Sequence, residues 1–333
     1  MEYMKEADWA LPPGTLLKKR YRVGSVLGQG KSGVTYESFD MITQCAVVVK
    51  EFFPSALCVR ESGFLALSPL DRESGRQFFL GSEAFLNQHS ALTQAAGSQC
   101  VVTVHDAFFE NGTSYAVMER LRGVTLSEFM TRIKRQLRPA EVVMLLTALS
   151  DALLVVHSLN MAHGSIAPEN IFICASGAIK LIDFGAARET LRLRRVLDDE
   201  IAKTDIRAIA RMCITLLTGR RDSFLKNLQS DKIPSELSGM LERMLTPDEK
   251  QRFESVFDLM HAITCVDIRP EQLVIPMPQK QEEVPSVEPM TFTQMPKAPV
   301  RESTRKRARL ILLVGGVLLV LVLILIVVLL ARI

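Results

Sequence analysis

His163-Gly164-Ser165-Ile166-Ala167-Pro168-Glu169-Asn170 and, 13 residues after Asn170, the turn around Asp183 in Ile182-Asp183-Phe184-Gly185 decide how this 333-residue chain is read. Ile179 to Leu181 is a short apolar run of strand character, so Asp183 stands on a tight turn at a strand end. A carboxylate there can hold a Mg2+ ion bridging phosphates, because hard cations take oxygen ligands. Taken alone, an ordinary Asx turn would look the same. Before His163, the residues Val142, Leu145, Leu146, Leu149, Leu153 and Val156 recur at three- and four-residue steps behind Pro139, which predicts a helix. Asp205 to Leu217 and Phe253 to Ile263 are further helical candidates.

The first half of the chain reads differently. Tyr21 to Leu27, Val34 to Phe39 and Cys45 to Glu51 are short runs rich in strand formers. Val101 to Phe109 and Thr113 to Glu119 flank Glu110-Asn111-Gly112, a hairpin signal. A helix is predicted between them, from about Glu73 to Thr93. A β-rich part followed by an α-rich part is an α+β pattern. No internal repeat is visible.

Leu27-Gly28-Gln29-Gly30-Lys31-Ser32-Gly33 lies between two of the predicted strands. Glycines at 28, 30 and 33 let backbone approach a phosphate chain and turn tightly. A plain glycine hairpin would look similar. A dinucleotide fold needs a helix after the last glycine, but Val34-Thr35-Tyr36 reads as strand. A Walker A loop needs a glycine where Ser25 stands. Lys50 ends the apolar strand Ala46-Val47-Val48-Val49, where an ammonium can reach the phosphates of a nucleotide under the loop. A strand-end lysine by itself is more often simply solvated.

The order of glycine loop, Lys50, the 163–170 stretch and Asp183 resembles the protein kinase family, over about Leu11 to Val266. Lys50-Glu51-Phe52-Phe53-Pro54 and Gly33-Val34-Thr35-Tyr36 look like bacterial Ser/Thr kinases of the eukaryotic-like, Hanks type. The resemblance implies a bilobal fold with a β-rich N-lobe over 19–120 and an α-rich C-lobe over 121–266, after an N-terminal extension over 1–18. It also implies a hinge at Val117-Met118-Glu119 with Met118 as gatekeeper. Thr204-Asp205-Ile206 resembles the start of the large lobe's buried central helix. The implied nucleotide contacts are Gly28, Gly30, Gly33, Lys50, Met118 and Glu119, with Asn170 and Asp183 as metal ligands, and the implied cofactors are ATP and Mg2+.

Departures from the family pattern set the functional expectation. The family's catalytic loop reads His-Arg-Asp, its Asp orienting the substrate hydroxyl. Here the positions are His163-Gly164-Ser165, and a serine hydroxyl has no useful basicity near neutral pH. Ala167 stands where a polar γ-phosphate contact is expected. The segment from Asp183 to Asp205 is short and holds no Ala-Pro-Glu, so Arg252, which matches the usual partner of that glutamate, must pair elsewhere or be solvated. Glu189 to Arg195 and Leu197-Asp198-Asp199-Glu200 read as a solvated loop or short helix. The helix expected to supply Lys50 with a glutamate offers Gln88 near the expected place and Glu83 about one turn away. The expectation is a pseudokinase that retains parts of an ATP and Mg2+ site and acts as a scaffold or regulator. The alternatives are an atypical active Ser/Thr kinase and a structural module that binds no nucleotide.

Composition bounds the rest. Leu310 to Ala331 carries no polar side chain and is long enough, at about 1.5 Å per residue, to cross a bilayer core of about 30 Å. Arg305-Lys306-Arg307 and Arg309 precede it, which by the positive-inside tendency makes that end cytoplasmic. With no apolar h-region at the N-terminus, the expectation is a tail-anchored, single-pass protein with a cytosolic domain, in a bacterial plasma membrane if the resemblance holds. Gly315-Gly316 forms no GxxxG pair, and oligomeric state is left open. Seven prolines between 270 and 300 read as a linker, placed with the basic cluster at 267–309. The formal charge of +3 is concentrated at 301–309, so the globular part is not basic and nucleic acid is a poor partner. Membrane lipid and a protein of undetermined identity are the partners expected. The six cysteines form no CxxC and sit in apolar runs, as free buried thiols do.

Overall fold

Alternating apolar positions in the first half and helical spacing in the second produce two lobes in a computed structural model that describes residues 9–30, 33–184, 198–221, 226, 228, 233–246 and 248–276. The expected membrane span at 310–331, the basic cluster, most of the proline-rich segment and Glu189 to Arg195 lie outside the described residues.

The small lobe is a six-stranded antiparallel sheet with a helix against it. Its strands are β1 (Leu16–Leu17), β2 (Tyr21–Gln29), β3 (Gly33–Asp40), β4 (Cys45–Phe52), β7 (Val104–Glu110) and β8 (Thr113–Glu119), in the order β1-β2-β3-β4-β8-β7. Helix α1 (Arg72–Leu92) starts at Asp71, whose carboxylate accepts from the Ser74 amide at 2.8 Å. Such a cap satisfies one of the donors a helix start leaves open. Its apolar face buries Phe78 and Phe85 against Phe52 of β4. Gly81 permits that approach, since a Cβ there would stand 2.7 Å from the Phe52 ring. Between β4 and α1 lies a short hairpin that sequence reasoning missed, β5 (Cys58–Arg60) with β6 (Leu67–Pro69). At three residues per strand it is too short to show a period. The predicted strand from Val101 begins three residues late, because Val101 makes only an isolated bridge to Leu181. The Asn111-Gly112 turn has positive φ at both residues (49° and 74°), as the hairpin signal requires.

The large lobe packs around α3 (Pro139–Ser158), where Val142, Leu145, Leu146, Leu149, Leu153 and Val156 are all fully buried. Among the described residues it is the one helix long and apolar enough to cross a membrane, and here it is the lobe's core. Around it lie α2 (Leu126–Ile133), α4 (Asp198–Thr218), α5 (Ser235–Leu245) and α6 (Val256–Thr264). A three-stranded sheet of β9 (Gly123–Thr125), β10 (Ile171–Cys174) and β11 (Ile179–Leu181) completes it. Helix α4 begins seven residues before the expected Asp205, so of the loop or short helix expected at Asp198-Asp199-Glu200 the helix is found, as the first turn of a longer one. After α6, Leu273 is buried and the Glu271 amide donates to the Ala140 carbonyl at 3.1 Å, so the first residues of the expected linker stay on the lobe. Among the described residues every cysteine is free, but Cys45 and Cys265 are exposed, against the expectation of burial.

Candidate functional site

Strand alternation sorts the residues of β4. Val48 and Lys50 face the cleft between the lobes, and Val47, Val49 and Glu51 face the small lobe's interior. The cleft cavity, of about 220 Å3, is lined on the small-lobe side by Leu27, Thr35, Val48, Lys50, His89 and Leu92. Met118, Glu119 and Leu121 line it where the lobes join, and Phe172, Ile182, Asp183 and Phe184 from the large lobe. Its walls are mostly apolar, with Lys50 and Asp183 at one end and Glu119 and Arg120 where the lobes join. Gly28 lies near the end of β2, Gly30 in the connection after it, and Gly33 opens β3. A Cβ at Gly28 would meet open space and one at Gly30 only ordinary contact with the Gly33 carbonyl, whereas at Gly33 it would overlap the Glu51 carbonyl. Gly33 therefore has a packing reason to be glycine, independent of any ligand.

Lys50 is buried and its ammonium is paired with the Asp183 carboxylate. Neither Gln88 nor Glu83 pairs with it. Glu83 is exposed on the outer face of α1. Gln88 is buried with both carboxamide atoms lacking a hydrogen-bond partner. The α1 residue that comes to the cavity is His89, one position on, its Nδ1 2.8 Å from the Phe85 carbonyl oxygen. Burial, then the Lys50 charge, pushes the His89 imidazole down to about 4. A group depressed from its unfolded value near 6.5 favours the folded state fully only above that value. Stability should therefore fall as pH drops from about 6.5 to 4, by on the order of 2–3 kcal/mol from this residue. Chemical denaturation of wild type and His89→Leu across that range checks it: the variant should lose most of this slope.

Asp183 adopts φ of 56°, which turns its side chain back toward Lys50 while Phe184 enters the core against the His163 ring, centroids 4.6 Å apart. The 163–170 loop is held from below by Asp205 of α4. That buried carboxylate accepts from the His163 and Gly164 amides at 2.8 and 2.9 Å. Sequence reading placed Asp205 in the central helix but not as the loop's anchor. Asp205→Ala leaves two amides without an acceptor, at about 1–3 kcal/mol each. A loss of roughly 2–5 kcal/mol in denaturant titration is expected, and a loss under 1 kcal/mol would show that the anchor is dispensable.

Within the loop, the Asn170 carboxamide nitrogen donates to the Ser165 carbonyl at 2.7 Å and to its Oγ at 3.0 Å. The Asn170 carbonyl accepts from the Ile182 amide at 2.9 Å, tying the loop to the strand end that carries Asp183. Glu169 is the only carboxylate between His163 and Asn170, and it is exposed. At the lobe junction, Glu119 accepts from Lys180 at 2.6 Å and from the Thr103 amide at 2.7 Å. Burial pushes its carboxyl up, but these donors outweigh burial and hold it below the usual range. Arg252 donates to the Thr246 carbonyl at 2.8 Å.

A Mg2+ ion would look to Asp183 and Asn170. Asp183 is paired with Lys50, and the Asn170 nitrogen donates to Ser165, which leaves the Asn170 side-chain oxygen as the atom a metal would take. One carboxylate and one carboxamide oxygen, completed by the oxygens of a phosphate chain, would fit Mg2+, which takes few ligands from protein.

The family model for the protein kinase domain matches residues 21–201. The chain is 26% identical over 282 residues to serine/threonine-protein kinase F of Synechocystis sp., covering 74% of this chain and 55% of that protein. It is 24% identical over 284 residues to serine/threonine-protein kinase PrkC of Bacillus subtilis, covering 74% and 40%. It thus spans about half the length of these relatives. A solved structure described as the PpkA-294 apo form superposes with a TM-score of 0.66 at 23% identity, over 76% of this chain and 99% of that one, a likeness of fold.

Proposed function

The chain belongs to the protein kinase family, and from that premise we propose that it is a pseudokinase of the bacterial Ser/Thr type, tethered to a membrane through 310–331 and acting as a scaffold or regulator. Protein kinases generally use ATP and Mg2+. On this reading the cleft takes ATP, with the base against Val48, Met118, Leu121 and Phe172, and the phosphates toward Lys50 and the Gly28–Gly33 loop. The observation that carries the reading is the closed hydrogen-bond set of Ser165 and Asn170. Asn170 holds both the carbonyl and the hydroxyl of Ser165, and among the described residues no carboxylate is hydrogen-bonded to Ser165 to orient an attacking alcohol. A regulatory role follows if ligand or partner binding favours one arrangement of the lobes over another. The basic residues of 301–309 would add attraction to anionic lipid, at about 1 kcal/mol each near the surface.

Thermal unfolding of the detergent-solubilised chain with ATP tests the binding part. At 100 times Kd a ligand adds about 2.7 kcal/mol of stability. Lys50→Ala should remove the shift. No shift in wild type at millimolar ATP would favour a structural module that binds no nucleotide.

A further inference from the structure

The loop between α2 and α3 gathers charge of one sign. Arg132, Lys134, Arg135 and Arg138 fall within seven residues, and all four are exposed. The loop lies against the C-terminal end of α4. The Leu137 amide donates to the Leu216 carbonyl at 2.9 Å, and the Gln136 carboxamide nitrogen to the Thr218 carbonyl at 2.9 Å. That contact brings Arg220 and Arg221, also exposed, to the same end of the large lobe. Two carboxylates meet these six cations. Glu141 is buried and takes Arg135 at 2.7 Å and Arg138 at 3.0 Å, and Glu271 takes Arg138 at 2.7 Å. Asp222, next along the chain, is the one further acid in these stretches. Helix C-termini attract cations, and both α2 and α4 end here. A capping role would aim side chains at the last carbonyls of those helices. Yet the side chains of Arg132, Lys134, Arg220 and Arg221 make no hydrogen bond or ion pair among the described residues. The chain on its way to 310–331 passes the same place. After α6, the Glu271 amide donates to the Ala140 carbonyl at 3.1 Å while its carboxylate holds Arg138, which pins the chain at the edge of the patch.

We infer that this end of the large lobe docks on the anionic lipid surface of the membrane to which the chain is tethered, an inference that rests on reading 310–331 as a membrane span. Cations without protein partners gain from the negative potential of such a surface. The globular part is not basic overall, so the attraction is one-sided and orients the lobe as well as holding it. Helix α2, about 12 Å long, separates the patch from β9 and the lobe junction, so docking at this end leaves the cleft away from the headgroups. The 301–309 cluster draws the chain to lipid, and the patch selects the face that the lobe presents to it.

The test is a lysine footprint of the full chain reconstituted into two kinds of vesicle, phosphatidylcholine alone and phosphatidylcholine with phosphatidylglycerol. Lys134 reports from the patch, and Lys19, exposed on the small lobe, is the control. Acylation of Lys134 should be at least about threefold slower on the anionic vesicles, with Lys19 unchanged. The difference should vanish in about 1 M salt, where the Debye length falls to about 3 Å. Arg132→Glu combined with Arg220→Glu and Arg221→Glu should also abolish it, in a protein whose unfolding midpoint is unchanged. Equal acylation of Lys134 on the two vesicles, in a chain that alkaline washing does not strip from them, overturns the docking and leaves the tether intact. A chain stripped from both overturns tether and docking together. Protection that survives in the triple variant belongs to another surface and overturns the inference. Protection by soluble polyglutamate and not by anionic vesicles overturns it in favour of an acidic protein.

Discussion

Phosphoryl transfer by the wild-type chain is expected to lie at least 10²–10⁴-fold below an orthodox kinase domain, whose kcat is typically about 1–100 s⁻¹. The lower bound is the contribution of a positioned general base alone. Ser165 stands at that place with its Oγ accepting from Asn170. Ala167 adds nothing to hold a γ-phosphate, and the Lys50 ammonium is drawn to Asp183. These deficits act on one transition state, so repairing one of them recovers little. Ser165→Asp should gain less than about tenfold, because groups that work as a unit are strongly non-additive. Combining it with Ala167→Lys should gain more than the sum of the single changes. Transfer of labelled γ-phosphate to the chain itself and to a generic acceptor protein measures this. Wild-type turnover that disappears in Asp183→Ala would sink the pseudokinase reading. The exposed Glu169 is the one acidic side chain in the loop able to swing toward Ser165, so Glu169→Gln belongs in the same series.

What was legible in the sequence divides by the range of the interaction. Period and turn chemistry are local, and β2, β3, β4, β8, α1 and α3 stand close to where Tyr21–Leu27, Val34–Phe39, Cys45–Glu51, Thr113–Glu119, the helix from Glu73 and the helix behind Pro139 were expected. The cleft residues were legible because motif order places them, and Leu27, Lys50, Met118, Glu119 and Asp183 do meet at one cavity. The partner of Lys50 was not. Motif logic looks to α1, but the partner is 133 residues away and depends on the left-handed backbone at Asp183. No local pattern announces such a conformation in an aspartate, since asparagine and aspartate adopt it in many turns. His89 was missed for a related reason: Gln88 and Glu83 drew the reading, while helical rotation decides which neighbour reaches the cleft. Glu51 was read only as part of a family match. Its signal was nonetheless present. Val47, Val49 and Glu51 share one face of an apolar strand, and a charge on that face must find partners.

Those partners make Glu51→Ala the substitution with the largest expected cost in stability. The Glu51 carboxylate is fully buried and takes three donors. Arg60 and the Tyr115 hydroxyl, the latter at 2.6 Å, donate to Oε1, and the Tyr36 hydroxyl donates to Oε2 at 2.8 Å. Burial first, and then the Glu51 charge, raises both tyrosines well above their ordinary value, so they remain protonated donors. Arg60 also donates to the Trp9 carbonyl at 2.7 Å and to the Leu65 carbonyl at 3.0 Å, and the Tyr36 oxygen accepts from the Leu11 amide at 3.1 Å. One carboxylate thus fastens the segment at 9–11 and the β5–β6 hairpin to the strand that carries Lys50. Removing it strands a buried guanidinium and two hydroxyls, and breaking a buried pair costs about 3–5 kcal/mol. For a domain of this size that is a fall in Tm of roughly 6–20 °C. Glu51→Gln should do somewhat better, because its carbonyl oxygen still accepts from a tyrosine, but the Arg60 charge stays uncompensated. Adding Arg60→Met to Glu51→Ala should recover part of the loss and not all of it. It removes the stranded charge, yet it also gives up the carbonyl contacts that pin Trp9 and Leu65. Differential scanning calorimetry on the set decides the matter: a Glu51→Ala midpoint within 2 °C of wild type, on the scale of that same expectation, would mean that water or a rearranged side chain already serves Arg60.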